Sequence, residues 1–308
     1  MSTRYNSFND FARQRFGGRV RKLAIDAGFS CPNRDGSIGT GGCTYCLNEA
    51  FNPSYCSRQK DVLQQIDEAI LFHQRRRHSA SNYVAYLQAY SNTHAPLEQL
   101  QSMYLKVLAH PAVAGLVIGT RPDCIDEQKL DFLAELSLTH FVMVEYGVES
   151  IYDRSLEHIR RGHDYACAQN AIALTAERNI YCGAHFILGL PDETYHDYIQ
   201  GVDSINKLKI NTIKFHQLQI IRNTAMEAEY RSRPEAFAFF DFDSYASLMA
   251  DIVERLRPDL IIERFAAEVP PRYLAAKPWN GQRHETLQAA VSQLLAKRQS
   301  YQGKLFHP

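Results

Sequence analysis

At 308 residues, with 45% hydrophobic and 22% charged side chains, the chain can bury a large core as one α/β barrel or two ordinary domains. Lysine plus arginine equals aspartate plus glutamate at 34 each, so no global charge argues for nucleic acid; a local basic face stays open and a DNA partner is not expected. The first ten residues lack an apolar signal-peptide core, no apolar run reaches the ~20 residues of a membrane span, and seven cysteines in an unexported chain point to the reducing cytoplasm.

Short apolar runs alternate with amphipathic stretches. Val20–Ala27 reads as a strand and Asp61–Gln74 as a helix. A strand at Tyr83–Ala89 and a helix at Pro96–Ala109, with proline near its start, follow. Gly115–Gly119 reads as a buried strand, Asp126–Leu138 as a helix and Phe141–Gly147 as the next strand. A helical region from about Ile151 to Arg178 breaks near Gly162. Tyr181–Gly189 is a fifth strand, Asp192–Leu208 a helix and Asn211–Leu218 a sixth strand.

Six such units predict a parallel sheet with helices outside. Periodicity does not separate a curved barrel from an open doubly wound sheet. No G-x-G-x-x-G follows the first strand, which weakens a dinucleotide-binding reading. After about Arg222 the alternation stops. Helices at Phe242–Arg257 and His284–Lys297 flank an irregular segment with Pro270, Pro271, Pro278 and Gly281. Residues 1–225 are thus expected to form the main body, and 226–308 a helical extension packed on it.

The loop after the first strand holds Cys31, Cys43 and Cys46 among Gly36, Gly39, Gly41 and Gly42. Structural zinc takes four protein ligands. A cubane cluster on three cysteines leaves one iron open to a substrate or cofactor. Glycines let the backbone fold tightly and aim amides at sulfur, and Arg34 can help. A zinc loop with Cys56 as fourth ligand is the competing reading. Cys124, Cys167 and Cys182 read as small hydrophobes of the body.

With these residues in view, the chain resembles the radical S-adenosylmethionine (SAM) superfamily, in its YhcC/YtqA-type branch, whose core looks like the catalytic subunit of Elongator. The common CxxxCx-aromatic-C pattern is replaced by Cx11CxxC, with Tyr45 in the aromatic position. The resemblance spans about Val20 to Thr224. It implies a partial (β/α)6 TIM-like barrel with a C-terminal helical appendage, a 4Fe-4S cluster on Cys31, Cys43 and Cys46, and SAM.

The same resemblance implies further roles. Gln88–His94 stands where the superfamily has Gly-Gly-Glu, so only backbone, Ser91 and Asn92 contacts carry over to the methionine amino group. Ile118–Asp123 matches the third-strand end and brings Thr120 to the cofactor. Glu149 would face the ribose, and Arg161, in Arg160-Arg-Gly-His163, would pair with the methionine carboxylate. Ile187 would pack on adenine, with His185 near the ribose and Gln217 offering backbone contacts. His94, Glu145, His185 and His216 are the expected lining of the substrate pocket.

Each match alone has a plain structural reading: a solvated arginine-rich helix end, a turn, a satisfied core histidine. Their order at successive strand ends is what joins them. The resemblance also implies an electron donor such as flavodoxin or ferredoxin and a tRNA wobble uridine as substrate. Arg75-Arg-Arg-His78 and Arg231-Ser-Arg233 are the segments that could touch phosphate. A small-molecule substrate is the alternative enzyme reading, and a zinc-stabilised binding module the alternative outside enzymes.

Overall fold

The structure is a computed structural model and describes residues 4–76, 80–237, 239–276, 279 and 283–307. Seven strands form one sheet in chain order, every neighbouring pair parallel. They are β1 (Val20–Ile25), β2 (Asn82–Leu87), β3 (Val113–Thr120), β4 (Phe141–Glu149), β5 (Tyr181–Leu188), β6 (Thr212–Gln217) and β7 (Ile261–Arg264). β1 and β7 are the two edges, so the barrel is partial.

Helices α2 (Val62–Arg75), α3 (Leu97–Leu108), α4 (Glu127–Ser137), α5 (Asp153–His158), α6 (Tyr165–Glu177) and α7 (Tyr195–Lys207) occupy the crossovers. Their starts follow from local chemistry: Asp61, Asp126, Asp164 and Thr194 each accept a backbone N–H of the first turn. Thr194 and Asp197 complete a capping box. The break expected near Gly162 lies between α5 and α6, where Arg160 and Gly162 have φ of 54° and 78°.

Alternation along each strand sets two environments. On β4, Val142, Val144, Tyr146 and Val148 join the core beneath the helices. Phe141 and Met143 lie on the other face, in a smaller interior cluster with Val84, Tyr86 and Val117. A helix absent from the sequence reading, α1 (Phe8–Phe16), plugs this end. Its Phe11 meets Tyr181 at 5.6 Å between ring centroids, and Phe16 meets Phe141 at 5.1 Å. The strand C-terminal ends face the other way.

The tail adds α8 (Ala225–Ser232), α9 (Phe242–Arg255) and α10 (His284–Lys297). It also adds β7, which pairs with β6 inside a segment the sequence presented as irregular. Leu287, Val291 and Leu295 of α10 are fully buried, and α10 packs on α9. Pro278 and Gly281 of that segment lie outside the described residues. No described helix is long and apolar enough to cross a membrane.

Candidate active site

The loop after β1 is folded by its own backbone: Arg34 N donates to Cys31 O (2.8 Å), Gly42 N to Asn33 O (2.7 Å) and Cys46 N to Cys43 O (3.0 Å). Gly42 has φ 73°, which favours glycine, and a Cβ there would stand 2.9 Å from the Arg34 guanidinium carbon and push that side chain aside. Arg34 Nη2 in turn donates to Cys46 O (2.6 Å). Thr44 joins the loop to the barrel mouth, its N–H donating to Ile159 O and its carbonyl accepting from Met226 N.

Asn33 is the bracket of this loop. Its buried amide donates to Arg160 O (2.9 Å) and Arg161 O (3.0 Å) and reaches Cys43 Sγ at 3.4 Å. Arg161, also buried, donates to Gly147 O (2.6 Å) and approaches Cys43 Sγ at 3.6 Å and Glu149 Oε1 at 3.4 Å. Its Nε has no hydrogen-bond partner. Glu149 sits just after a register shift with φ 71°, a left-handed conformation that a non-glycine residue holds only under local constraint. A Cβ on Gly147 would lie 2.6 Å from both Arg161 Nη2 and Glu149 Oε1, so the missing side chain is what lets this pair lie across the strand end. Burial, then the neighbouring Glu149, pushes the Tyr45 hydroxyl pKa up; burial likewise raises that of Glu149 against the pull of Arg161.

These groups surround one cavity of about 220 Å3 at the strand C-terminal ends. Cys31, Cys43, Cys46, Tyr45, Thr120, Glu145, Glu149, Arg161, His185, Ile187, His216 and Gln217 all line it. Among the described residues no three His, Cys, Asp or Glu side chains converge tightly enough for a single metal ion. The three thiols border a shared space instead, which suits a cube of several iron and sulfur atoms. Burial pushes the Cys31 thiol up and that of Cys46 to about 11, so thiolates here need a bound cationic centre. The unpartnered Nε of buried Arg161 and Nη1 of buried Arg121 are further groups awaiting an acceptor.

Deeper in the barrel lies an ionic layer. Glu145, with no exposed side-chain surface, accepts from Lys22 Nζ (2.5 Å), from Lys214 Nζ and from His185 Nε2 (3.0 Å). Glu263 of β7 accepts from Lys22 (2.7 Å) and lies 3.4 Å from Lys214. Gly183 makes room for Glu145 and Thr212: a Cβ there would stand 3.2 Å from Glu145 Cγ and 2.5 Å from Thr212 Oγ1. Burial opposes the charge on Glu145, but Lys214 and Lys22 overcome it, and its pKa falls well below the usual carboxylate range. The two carboxylates likewise raise Lys22. Lys214 is more deeply buried and stands beside Lys22 and Arg264, and its pKa drops to about 8. Burial holds His185 down to about 4 and His216 well below the imidazole norm, so both rings are neutral.

Three expected residues do not join the cavity. Asn92 is fully buried and its amide donates to the Leu87, Ala89 and Gly119 carbonyls, which spends it on holding the strand ends. Ser91 Oγ bonds Thr120 Oγ1 and accepts from Arg121 N. His94 turns outward to Asp35 at 2.8 Å. Cys56 also stands apart, packed against the main core with Asp26 as neighbour, and does not supply the fourth zinc ligand of the competing reading. Gln217 lines the cavity, but its amide is held at both ends by the Ala267 backbone.

Of the basic segments, Arg77 and His78 lie outside the described residues. Arg231 and Arg233 pair with Glu227 and Glu229 (2.7 Å each). Sequence reasoning passed over Asn33, Arg121, Lys22, Arg264 and Gln219. Lys22 carried a signal: a charge inside an apolar strand on the same parity as the interior face.

Comparison with known proteins agrees with this architecture. The chain is 33% identical to "Uncharacterized protein YtqA" of Bacillus subtilis over 98% of this chain and 93% of that protein. It is 33% identical to "Protein YhcC" of Escherichia coli K12 over 89% and 87%. A 95-residue stretch, 31% of this chain and 17% of the relative, is 33% identical to the tRNA uridine(34) acetyltransferase of Methanocaldococcus jannaschii. The solved Elp3 of Methanocaldococcus infernus superposes with a TM-score of 0.67 at 14% identity, over 92% of this chain and 64% of that one, which shows a common fold. The family models for the Radical SAM superfamily and the Radical_SAM C-terminal domain match residues 35–205 and 210–295. With a seven-stranded parallel half-barrel under those matches, the chain belongs to the radical SAM superfamily of enzymes.

Proposed function

We propose that Cys31, Cys43 and Cys46 hold a 4Fe-4S cluster, that SAM occupies the adjoining cavity, and that the substrate is a tRNA wobble uridine. The observation that carries the first two parts is the convergence of the three thiols with Arg161, Glu149, Tyr45 and Ile187 on one cavity. Bound there, the pair would supply reductive cleavage of the sulfonium and a 5′-deoxyadenosyl radical for hydrogen abstraction, fed by a one-electron donor such as flavodoxin or ferredoxin. Arg161 offers the methionine carboxylate a buried guanidinium with a spare N–H. Glu149 offers an acceptor to the ribose hydroxyls, and Ile187, in an apolar cluster with Leu190 and Leu218, a surface for adenine. Asn33 and Arg161 direct N–H groups at Cys43 and moderate the charge on its sulfur.

The wobble-uridine part draws on the named activity of the tRNA uridine(34) acetyltransferase relative. A small-molecule substrate has its own support: Arg231 and Arg233, in one of the two basic segments offered for phosphate contact, are already engaged by glutamates. Anaerobic reconstitution, dithionite reduction and added SAM should release 5′-deoxyadenosine. None from a fully loaded protein defeats the cofactor reading. Mass spectrometry of nucleosides from undermodified tRNA, treated in the same assay, should show a changed wobble uridine. Turnover with a metabolite extract and no change in tRNA selects the small molecule.

A further inference from the structure

The ionic layer does not balance. Among the described residues its cations are Lys22, Lys214 and Arg264, and its carboxylates are Glu145 and Glu263. The two lysines pair with the two carboxylates. Arg264 has no carboxylate within ion-pair distance among the described residues; its Nη2 donates to His216 Nε2 at 2.9 Å, and its Nε is buried without a partner. Arg264 and His216 both line the cavity.

His216 is neutral and accepts through Nε2, so its proton is on Nδ1, which finds no acceptor among the described residues. His185 stacks on it at 5.5 Å and 27°, fixing the ring while its own Nε2 serves Glu145. A guanidinium and an imidazole N–H thus stand on the cavity wall with one positive charge uncompensated. A cation desolvated without a counter-ion is costly, and an arriving anion removes the cost.

We propose that Arg264 and His216 form an anion subsite that takes a carboxylate, which an unmodified uridine lacks and a small-molecule substrate supplies, an inference that rests on the cavity being the reaction site. The net charge favours a monoanion over a free phosphate dianion. One excess cation balances a monoanionic carboxylate, whereas a phosphate dianion would leave a buried negative charge. The planar guanidinium suits a carboxylate, and His216 Nδ1–H supplies a second donor.

The test is binding, read as a rise in unfolding temperature of the cluster-loaded, SAM-bound protein against three probes: propionate, its neutral isostere propionamide, and inorganic phosphate. Propionate should stabilise saturably and propionamide should not. Arg264→Gln should weaken propionate at least about tenfold, the loss of a charge-assisted contact. His216→Phe should weaken it severalfold, an independent variant should Arg264→Gln fold poorly. Arg231→Gln, on the surface of α8, should leave it unchanged. Equal propionate binding by both site variants overturns the proposal, as does no response in the parent protein or a preference for phosphate that depends on Arg264. SAM binding, measured separately by equilibrium dialysis, distinguishes the two readings. An Arg264-dependent propionate response in a protein that does not bind SAM upholds the subsite and defeats the cofactor reading.

Discussion

Glu145→Gln is the sharpest perturbation of the barrel interior. The amide is nearly isosteric and removes the charge that Lys22, Lys214 and His185 share, at a side chain with no exposed surface. Removing one partner of a buried pair costs about 3–5 kcal/mol, and three donors on one carboxylate place this site in the upper part of that range at pH 7. The cost should depend on pH, because the most deeply buried lysine can escape by losing its proton. An unfolded lysine holds its proton to about 10.5, and Lys214 in the fold holds it only to about 8. The contribution of Lys214 to parent stability therefore climbs with pH only above about 8. In the variant the folded value drops further, so the climb starts lower and the gap narrows by about 1 kcal/mol between pH 7 and 9. Urea unfolding at the two pH values, followed by the fluorescence of Trp279, the chain's one tryptophan and a buried one, measures both quantities. A cost below about 1 kcal/mol, or a gap that widens with pH, would refute the reasoning.

Alanine at Cys31, Cys43 or Cys46 should abolish the brown chromophore and bound iron after reconstitution, while Cys56→Ser should keep both; iron and sulfide analysis decides. Gly147→Ala puts a methyl 2.6 Å from Arg161 Nη2 and Glu149 Oε1, and should cost about 1–3 kcal/mol of stability and weaken SAM in equilibrium dialysis. Asn33→Ala removes the amide that ties the cysteine loop to Arg160 and Arg161, and leaves one buried and one part-buried carbonyl short of a donor. It should lower stability by about 1–3 kcal/mol and speed cluster loss to a chelator, followed by absorbance.

The first six strands and most helices were legible because each is an apolar run or a 3.6-period stripe closed by Asp or Thr caps. β7 was not, because its four residues end in Glu263 and Arg264, which read as surface and in fact face the barrel interior and its cavity. α1 escaped because it is short and polar on one side, and its use lies in two phenylalanines that meet strands more than a hundred residues away. The cysteine loop announces itself by composition. Of the ionic layer the sequence showed Glu145 and His185, but neither Lys22 and Glu263 nor the pairing, since Lys22 and Glu145 are 123 residues apart. Asn92 and His94 misled for a local reason: the chain turns back after β2, burying one and turning the other outward.

Lys22 and Glu263 stand on the two edge strands, and between those strands no peptide ladder runs. The gap is spanned by this amine–carboxylate tie, resting on the Phe8 ring, and by the segment before α1, where the Asn6 carbonyl accepts from Ile262 N of β7. A ladder holds neighbouring strands at a fixed 4.8 Å or so, whereas such a tie can lengthen through water at small expense. On this flank the half-barrel is thus closed by an ion pair and a single backbone bridge, so widening its cavity there breaks fewer bonds than parting any two neighbouring strands.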